Sequence, residues 1–193
     1  MNLAIPVQPI IQHQNYINSV DKYSKKYNIF LDSDIGEPSD YRDFLTILFN
    51  SSNVDEIHIY INCFGGNLDT TLSLVEGIKS SPAKVTAILM GPCHSAASII
   101  ALNCDEIVIL DNAYAMIHTA SMGYSGNVGN IKSHTDFAVN QIEKLITSTY
   151  EGFLTPEELD KVKSGSELWF NAKELRKRIK NKYKLLKKQS KNV

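Results

Sequence analysis

Apolar and polar residues alternate along Glu56-Ile57-His58-Ile59-Tyr60-Ile61, a period of two rich in β-branched residues that predicts a half-buried strand. Lys84–Met90, Glu106–Leu110 and Ala113–His118 have the same character, and Asn28–Leu31 reads as a shorter, earlier strand. Between these runs the period lengthens to that of a helix. Phe44, Leu45, Ile47, Leu48 and Phe49 follow a capping Ser39 or Asp40. Leu68, Leu72, Leu74, Val75 and Ile78 follow the turn Asn62–Asn67. Gly91-Pro92 is expected to end the strand that begins at Lys84, with a helix of small residues over Ser95–Leu102. A Gly-rich stretch at 119–130 precedes a long amphipathic helix from about Ile131 to Tyr150. Thr155-Pro156-Glu157-Glu158 opens another helix with proline at its first position. Trp169-Phe170 reads as a short strand, and Asn171 caps a last helix.

This alternation of strands and helices defines an α/β class with a mainly parallel sheet. The 193 residues suit one domain with its own core. Residues 1–27, polar and carrying Pro6 and Pro9, are expected to form an arm or loop, with a short helix near Ile17–Lys26. Residues 28–179 make up the domain, and 180–193 a basic tail.

Composition narrows the function classes. A hydrophobic fraction of 43% with 21% charged residues is that of a soluble globular chain. No apolar run approaches the ~18–20 residues of a membrane span. Met1–Pro6 lacks the basic and apolar segments of a secretory signal, so a cytoplasmic location is expected. Cys63, Cys93 and Cys104 are odd in number and lack CxxC spacing, which speaks against disulfides or a zinc knuckle. The net charge of -1 conceals an asymmetry, because half of the Lys and Arg residues lie between Lys173 and Lys191, where Glu174 is the lone acid. That stretch reads as a solvated helix end, with an anionic partner as the alternative. Tyr183 is its single aromatic residue, so a base-stacking nucleic-acid surface is not expected.

The candidate chemistry lies in three ordered stretches. Ser95, in Gly91-Pro92-Cys93-His94-Ser95-Ala96-Ala97, stands where a strand turns into a helix, at the carboxyl end of a parallel sheet. A serine hydroxyl needs a base within reach to act as a nucleophile. His118 ends an apolar run and is the candidate base, and Glu167 is the candidate carboxylate that would orient it. His94 adjoins Ser95 in sequence, but neighbours at a helix start point in different directions, so it is not the expected base. Gly65-Gly66 lies between a strand and a helix, and the N–H groups of Gly66 and Ala96 are candidate oxyanion donors. Taken singly, each has a plainer reading: a capping serine, a satisfied histidine, a surface acid. No HExxH, GxGxxG or Walker motif is present, and no metal is expected.

These stretches, in this order, resemble the proteolytic subunits of the Clp protease, the ClpP family. The likeness runs from about Tyr23 to about Ile179. Ile61-Asn62-Cys63-Phe64-Gly65-Gly66 is similar to that family's Ile-Asn-Ser-Pro-Gly-Gly, with Phe64 in place of proline. Met90-Gly91-Pro92-Cys93-His94-Ser95-Ala96 matches its Met-Gly-x-x-x-Ser-Met, and Met116-Ile117-His118 matches its Met-Ile-His. An ungapped reading puts the family's catalytic Asp at Glu167, and Ser166 stands where many members carry arginine.

The resemblance implies a ClpP/crotonase-like fold of repeated β-β-α units, with a protruding handle helix within about 119–152. It implies a serine endopeptidase that assembles with itself as heptameric rings, singly or as a stacked double ring, and degrades unfolded polypeptides inside a chamber. A partner AAA+ unfoldase would use ATP, the peptidase itself needing no cofactor, and would dock at Tyr60, Ile88, Met90, Val108 and Leu110. His58 falls where the family often has a docking tyrosine. The alternatives are a non-catalytic ring subunit, a phage head-maturation protease, and a crotonase-like acyl-CoA enzyme.

Overall fold

The computed structural model describes residues 17–20 and 24–189. Along the chain come β1 (Ile17–Val20), β2 (Lys25–Leu31), a 3-10 turn (Pro38–Tyr41), α1 (Arg42–Asn50), β3 (Glu56–Cys63), α2 (Leu68–Ser80) and β4 (Lys84–His94). There follow α3 (Ala96–Leu102), β5 (Glu106–Ile109), β6 (Tyr114–Ile117), α4 (Val128–Tyr150), α5 (Pro156–Lys163), β7 (Leu168–Asn171) and α6 (Ala172–Gln189). All the strands join one sheet, in the order β1-β2-β3-β4-β6-β7, with β5 beside β4. The pairings from β2 to β6 are parallel, and only β1–β2 and β6–β7 are antiparallel. The protein is therefore α/β with a mainly parallel sheet.

Strand β4 organises the sheet because it serves two neighbours on one side. Thr86–Leu89 pair with β5, and Pro92–His94 pair with β6. One sheet face buries Ile57, Ile59 and Ile61 of β3 with Val85, Ala87 and Leu89 of β4. These meet Phe44 of α1, Leu74 of α2 and Ile100 of α3 in one cluster. Each large side chain fully withdrawn from water there contributes about 1.5–3 kcal/mol. The other face is graded. Lys26, Glu56 and Lys84 form a charged row, Asn28, His58, Thr86 and Glu106 a polar row beside it, and Phe30, Tyr60, Ile88 and Val108 an apolar row beyond that. Phe30 and Tyr60 stack at 4.8 Å.

Several elements depart from the sequence expectations. The helix expected near Ile17–Lys26 is not formed: Ile17–Val20 and Lys25–Leu31 pair as antiparallel strands, while residues 1–16 and 21–23 lie outside the described residues. Strand β4 does not end at Gly91-Pro92. The β3–β4 register shifts between Ile61 and Cys63, and that bulge accommodates a proline that cannot donate to the ladder. Helix α4 starts at Val128, because Asn127 accepts a capping hydrogen bond from Asn130 N–H. Helix α6 continues unbroken past residue 180 to Gln189, in keeping with the reading of the basic stretch as a helix end, and residues 190–193 lie outside the described residues.

The elements after the sheet are clamped by Arg178 of α6. Its guanidinium donates at 2.7 Å to each oxygen of Glu158 and at 3.0 Å to the Phe153 carbonyl, and it lies 4.3 Å from the Phe170 ring centroid. Glu158 in turn closes the capping box of α5 with Thr155. The Arg178 hydrogen bond is the main reason the Glu158 carboxyl titrates below its usual value. Arg178→Ala is expected to lower unfolding free energy by about 2 kcal/mol, the scale for hydrogen bonds to charged groups, as read from a urea midpoint. This stabilisation is full above the ordinary glutamate value of about 4.3 and is lost as pH falls through the depressed folded value. The variant should therefore lose less stability than the parent on acidification.

Candidate active site

Ser95 links β4 to α3 and has φ 50° and ψ -123°, the one non-glycine positive φ among the described residues. Such a conformation costs an L-residue on the order of 1–3 kcal/mol and persists only where the surroundings impose it. Here they do. Ser95 N–H donates to Met116 O at 2.8 Å, and its carbonyl accepts from Ser98 N–H at 2.9 Å and Ser98 Oγ at 2.7 Å. Ser98 Oγ also lies 2.7 Å from Tyr150 Oη at the end of α4. Because Ser98 spends its one proton on Ser95, Tyr150 is the donor in that pair.

The turn aims the Ser95 hydroxyl at His118, just beyond β6, with Oγ and Nε2 2.7 Å apart. The structure thus brings together two of the residues singled out from the sequence. Gly65 and Gly66 adopt φ of 105° and 145°, and their turn lies directly against the Ser95 backbone. A Cβ on Gly65 would sit 2.9 Å from Ser95 Cβ, and one on Gly66 2.3 Å from Ile35 O. Only glycine permits this approach. Ala96, the first residue of α3, has no acceptor for its N–H within the helix. Gly66, Ser95, Ala96 and His118 share one open cavity of about 420 Å³, whose apolar lining is Ile99 with Ile142, Leu145 and Ile146 of α4.

Glu167 is placed differently. The β6–β7 register pairs Ile117 with Leu168, so His118 and Glu167 follow as the next opposed positions. Yet no hydrogen bond or ion pair joins Glu167 to His118, and Glu167 is exposed. The structure brings its backbone to the expected place and leaves its carboxylate unengaged. The nearby thiols are not competing nucleophiles: burial pushes Cys63 up to about 11 and raises Cys93 further. Cys63 instead braces the glycine turn, donating to Ser33 O at 3.0 Å and accepting from Gly65 N–H at 3.3 Å. Among the described residues no cluster of His, Cys, Asp or Glu is arranged to hold a metal.

Sequence reasoning passed over His94. Its ring is buried, 5% exposed, and touches Phe64, Tyr114 and Trp169 edge-on at 5.1–5.2 Å. The signal was its register: His94 pairs with Met116 and Met116 with Trp169, one row across three strands. The Ser98–Tyr150 link gave no sequence signal, because the two residues are 52 positions apart.

The expected docking residues lie on the graded face. Tyr60, Ile88 and Met90 are half-buried, and Val108 and Leu110 are exposed.

A serine in left-handed backbone, an imidazole on its hydroxyl and a glycine turn thus meet at the carboxyl end of a parallel sheet in an α/β protein. The profile of the Clp protease family matches residues 11–177, and the chain belongs to that family. The ATP-dependent Clp protease proteolytic subunit of Deinococcus radiodurans is 27% identical over 133 residues, 58% of this chain and 64% of the relative. The ATP-dependent Clp protease proteolytic subunit 3 of Streptomyces coelicolor is 27% identical over 137 residues, 68% of this chain and 62% of the relative. The matched part of the chain thus spans a little under two thirds of each relative's length.

The contact between the glycine turn and Ser95 is open to a direct check. Gly65→Ala is expected to cost more than about 1 kcal/mol, the penalty for a side chain at positive φ, and to displace Ser95 from His118. Loss of denaturant stability together with loss of fluorophosphonate labelling at Ser95 would meet that expectation.

Proposed function

We propose that this chain is a serine endopeptidase with Ser95 as nucleophile and His118 as general base. The observation that carries the reading is the 2.7 Å contact between Ser95 Oγ and His118 Nε2 at a residue held in left-handed backbone. Membership of the Clp protease family supports peptide bonds as the substrate class. As Oγ attacks the scissile carbonyl carbon, Nε2 takes the hydroxyl proton. The carbonyl oxygen gains negative charge, which the N–H groups of Gly66 and Ala96 are available to receive. The C–N bond then breaks, His118 returns the proton to the departing amine, and water repeats the sequence on the acyl-enzyme. No step calls on a cofactor. The apolar wall of Ile99, Ile142 and Leu145 supports an apolar substrate side chain beside the scissile bond.

The assembly belongs to the same proposal: rings of this chain, single or stacked, supplied with unfolded polypeptide by an ATP-using AAA+ unfoldase. Exposed Val128, Phe137 and Val139 on α4 are apolar surface that a further copy would cover. Tyr60, Ile88 and Met90 with exposed Val108 and Leu110 are the surface offered to the unfoldase. Three free, buried cysteines suit a reducing compartment, the cytosol. No helix among the described residues is long and apolar enough to cross a membrane.

One observation favours a second reading, a weakly active or non-catalytic ring subunit: the Glu167 carboxylate makes no contact with His118. The two readings separate by measurement. Ser95→Ala should abolish the fluorophosphonate adduct seen by intact mass and cut peptide turnover by at least about 10³. A parent protein that neither labels nor turns over, alone or with an unfoldase, would leave the non-catalytic reading. Glu167→Gln should lower kcat by less than about tenfold, against roughly 10⁴ where the carboxylate is bonded to the base. A loss near the larger figure would mean that the carboxylate does engage His118 during turnover.

A further inference from the structure

His94 immediately precedes Ser95, and its ring is enclosed by side chains from three separate segments around the site. Phe64 comes from the glycine turn, Tyr114 from β6 and Trp169 from β7. Its Nε2 is buried without a hydrogen-bond partner. A bare ring nitrogen is tolerable there in the neutral tautomer protonated on Nδ1. In the cation the same atom becomes a charged donor with no acceptor, which is costly to bury. We propose that His94 is a positioning residue for Ser95: as a neutral imidazole it holds the glycine turn and the start of β7 against the nucleophile through its aromatic neighbours, and on protonation it releases them. The proposal rests on the reading of Ser95 as nucleophile.

The titratable groups that face His94 are Glu167, His118 and Tyr114. Burial lowers the His94 value from the ordinary imidazole figure, the Glu167 carboxylate opposes that, and His118 adds to it. With the folded value depressed, the packing is intact above about 6.5 and is lost as pH falls through the folded value.

The chain has one tryptophan, and it is a wall of this enclosure, so its emission reports on His94 without any need for activity. Trp169 emission of the assembled protein should titrate with one proton below pH ~6.5. The titration should vanish in His94→Phe, which keeps an aromatic ring, and in His94→Gln, which covers the case of a misfolded Phe variant. Glu167→Gln should move the midpoint to lower pH. On a short peptide, the acid limb of kcat/KM should be steeper in the parent than in His94→Phe, a difference that simple packing would not produce. Flat parent emission from pH 7.5 to 5 in a folded sample, or a titration that persists in both His94 variants, would overturn the proposal. An emission titration lost in the His94 variants of a protein without peptidase activity would uphold the titrating His94 enclosure and sink the peptidase reading instead.

Discussion

The left-handed backbone at Ser95 is the constraint on which the site depends. It costs about 1–3 kcal/mol, and three hydrogen bonds at 2.7–2.9 Å hold the residue there. At about 1 kcal/mol net for each, those bonds are enough to offset the strain. One is made to Met116 and the other two by Ser98. Met116 O is supplied by β6, Ser98 by the first turn of α3, and Tyr150 reaches Ser98 from the last turn of α4. Ser95 is therefore set by the sheet and by the long helix together.

The same dependence explains how α4 is held. Its first turns are exposed, Val128 at 85%, whereas Ile146, Thr149 and Tyr150 are buried. Lys182 of α6 is buried beside that end and donates to Thr149 O at 2.7 Å and Glu151 O at 3.2 Å. A cation on the last carbonyls of a helix satisfies groups that have no partner within it and complements the dipole. Burial lowers the Lys182 value, and the Glu151 charge opposes the shift. The anchored end is the one that contributes Ile142, Leu145 and Ile146 to the cavity. The wall of the site thus comes from the supported end of α4, while the unsupported end offers apolar surface outward.

Much of the architecture was legible because burial follows the periodicity. Ile57, Ile59 and Ile61 alternate in the sequence and are buried as a set, and α5 opens at Thr155 with Pro156 at its first position, as read from the sequence. Local signals failed where a partner decides. Ile17–Lys26 is polar enough to read as arm or helix, and only pairing between β1 and β2, with β2 continuing onto β3, makes Ile17–Val20 and Lys25–Leu31 sheet. Gly91-Pro92 is a stop signal in isolation, and the bulge that contains it exists only in the paired strands. His94 was set aside because adjacent residues diverge. That argument holds for its part as a base, since the Ser95 hydroxyl meets His118. It says nothing of what the diverging ring packs against.

Glu167 marks the boundary between what register can fix and what side chains decide. The antiparallel pairing of β6 with β7 carries His118 and Glu167 to opposed positions, where Cβ atoms are typically about 4.5–5.5 Å apart. That spacing favours a short carboxylate reaching across the pair. Glutamate has one more methylene than aspartate, and its carboxylate has to fold back to use so small a gap. In solvent it keeps several rotamers that do not, and restricting them costs rotamer entropy. The exposed Glu167 carboxylate has not met that cost. It acts instead at longer range on His94, two positions in sequence from the indole that encloses that ring. The Glu167 carboxylate thus stands off His118 and acts on His94, although the backbone register opposes it to His118.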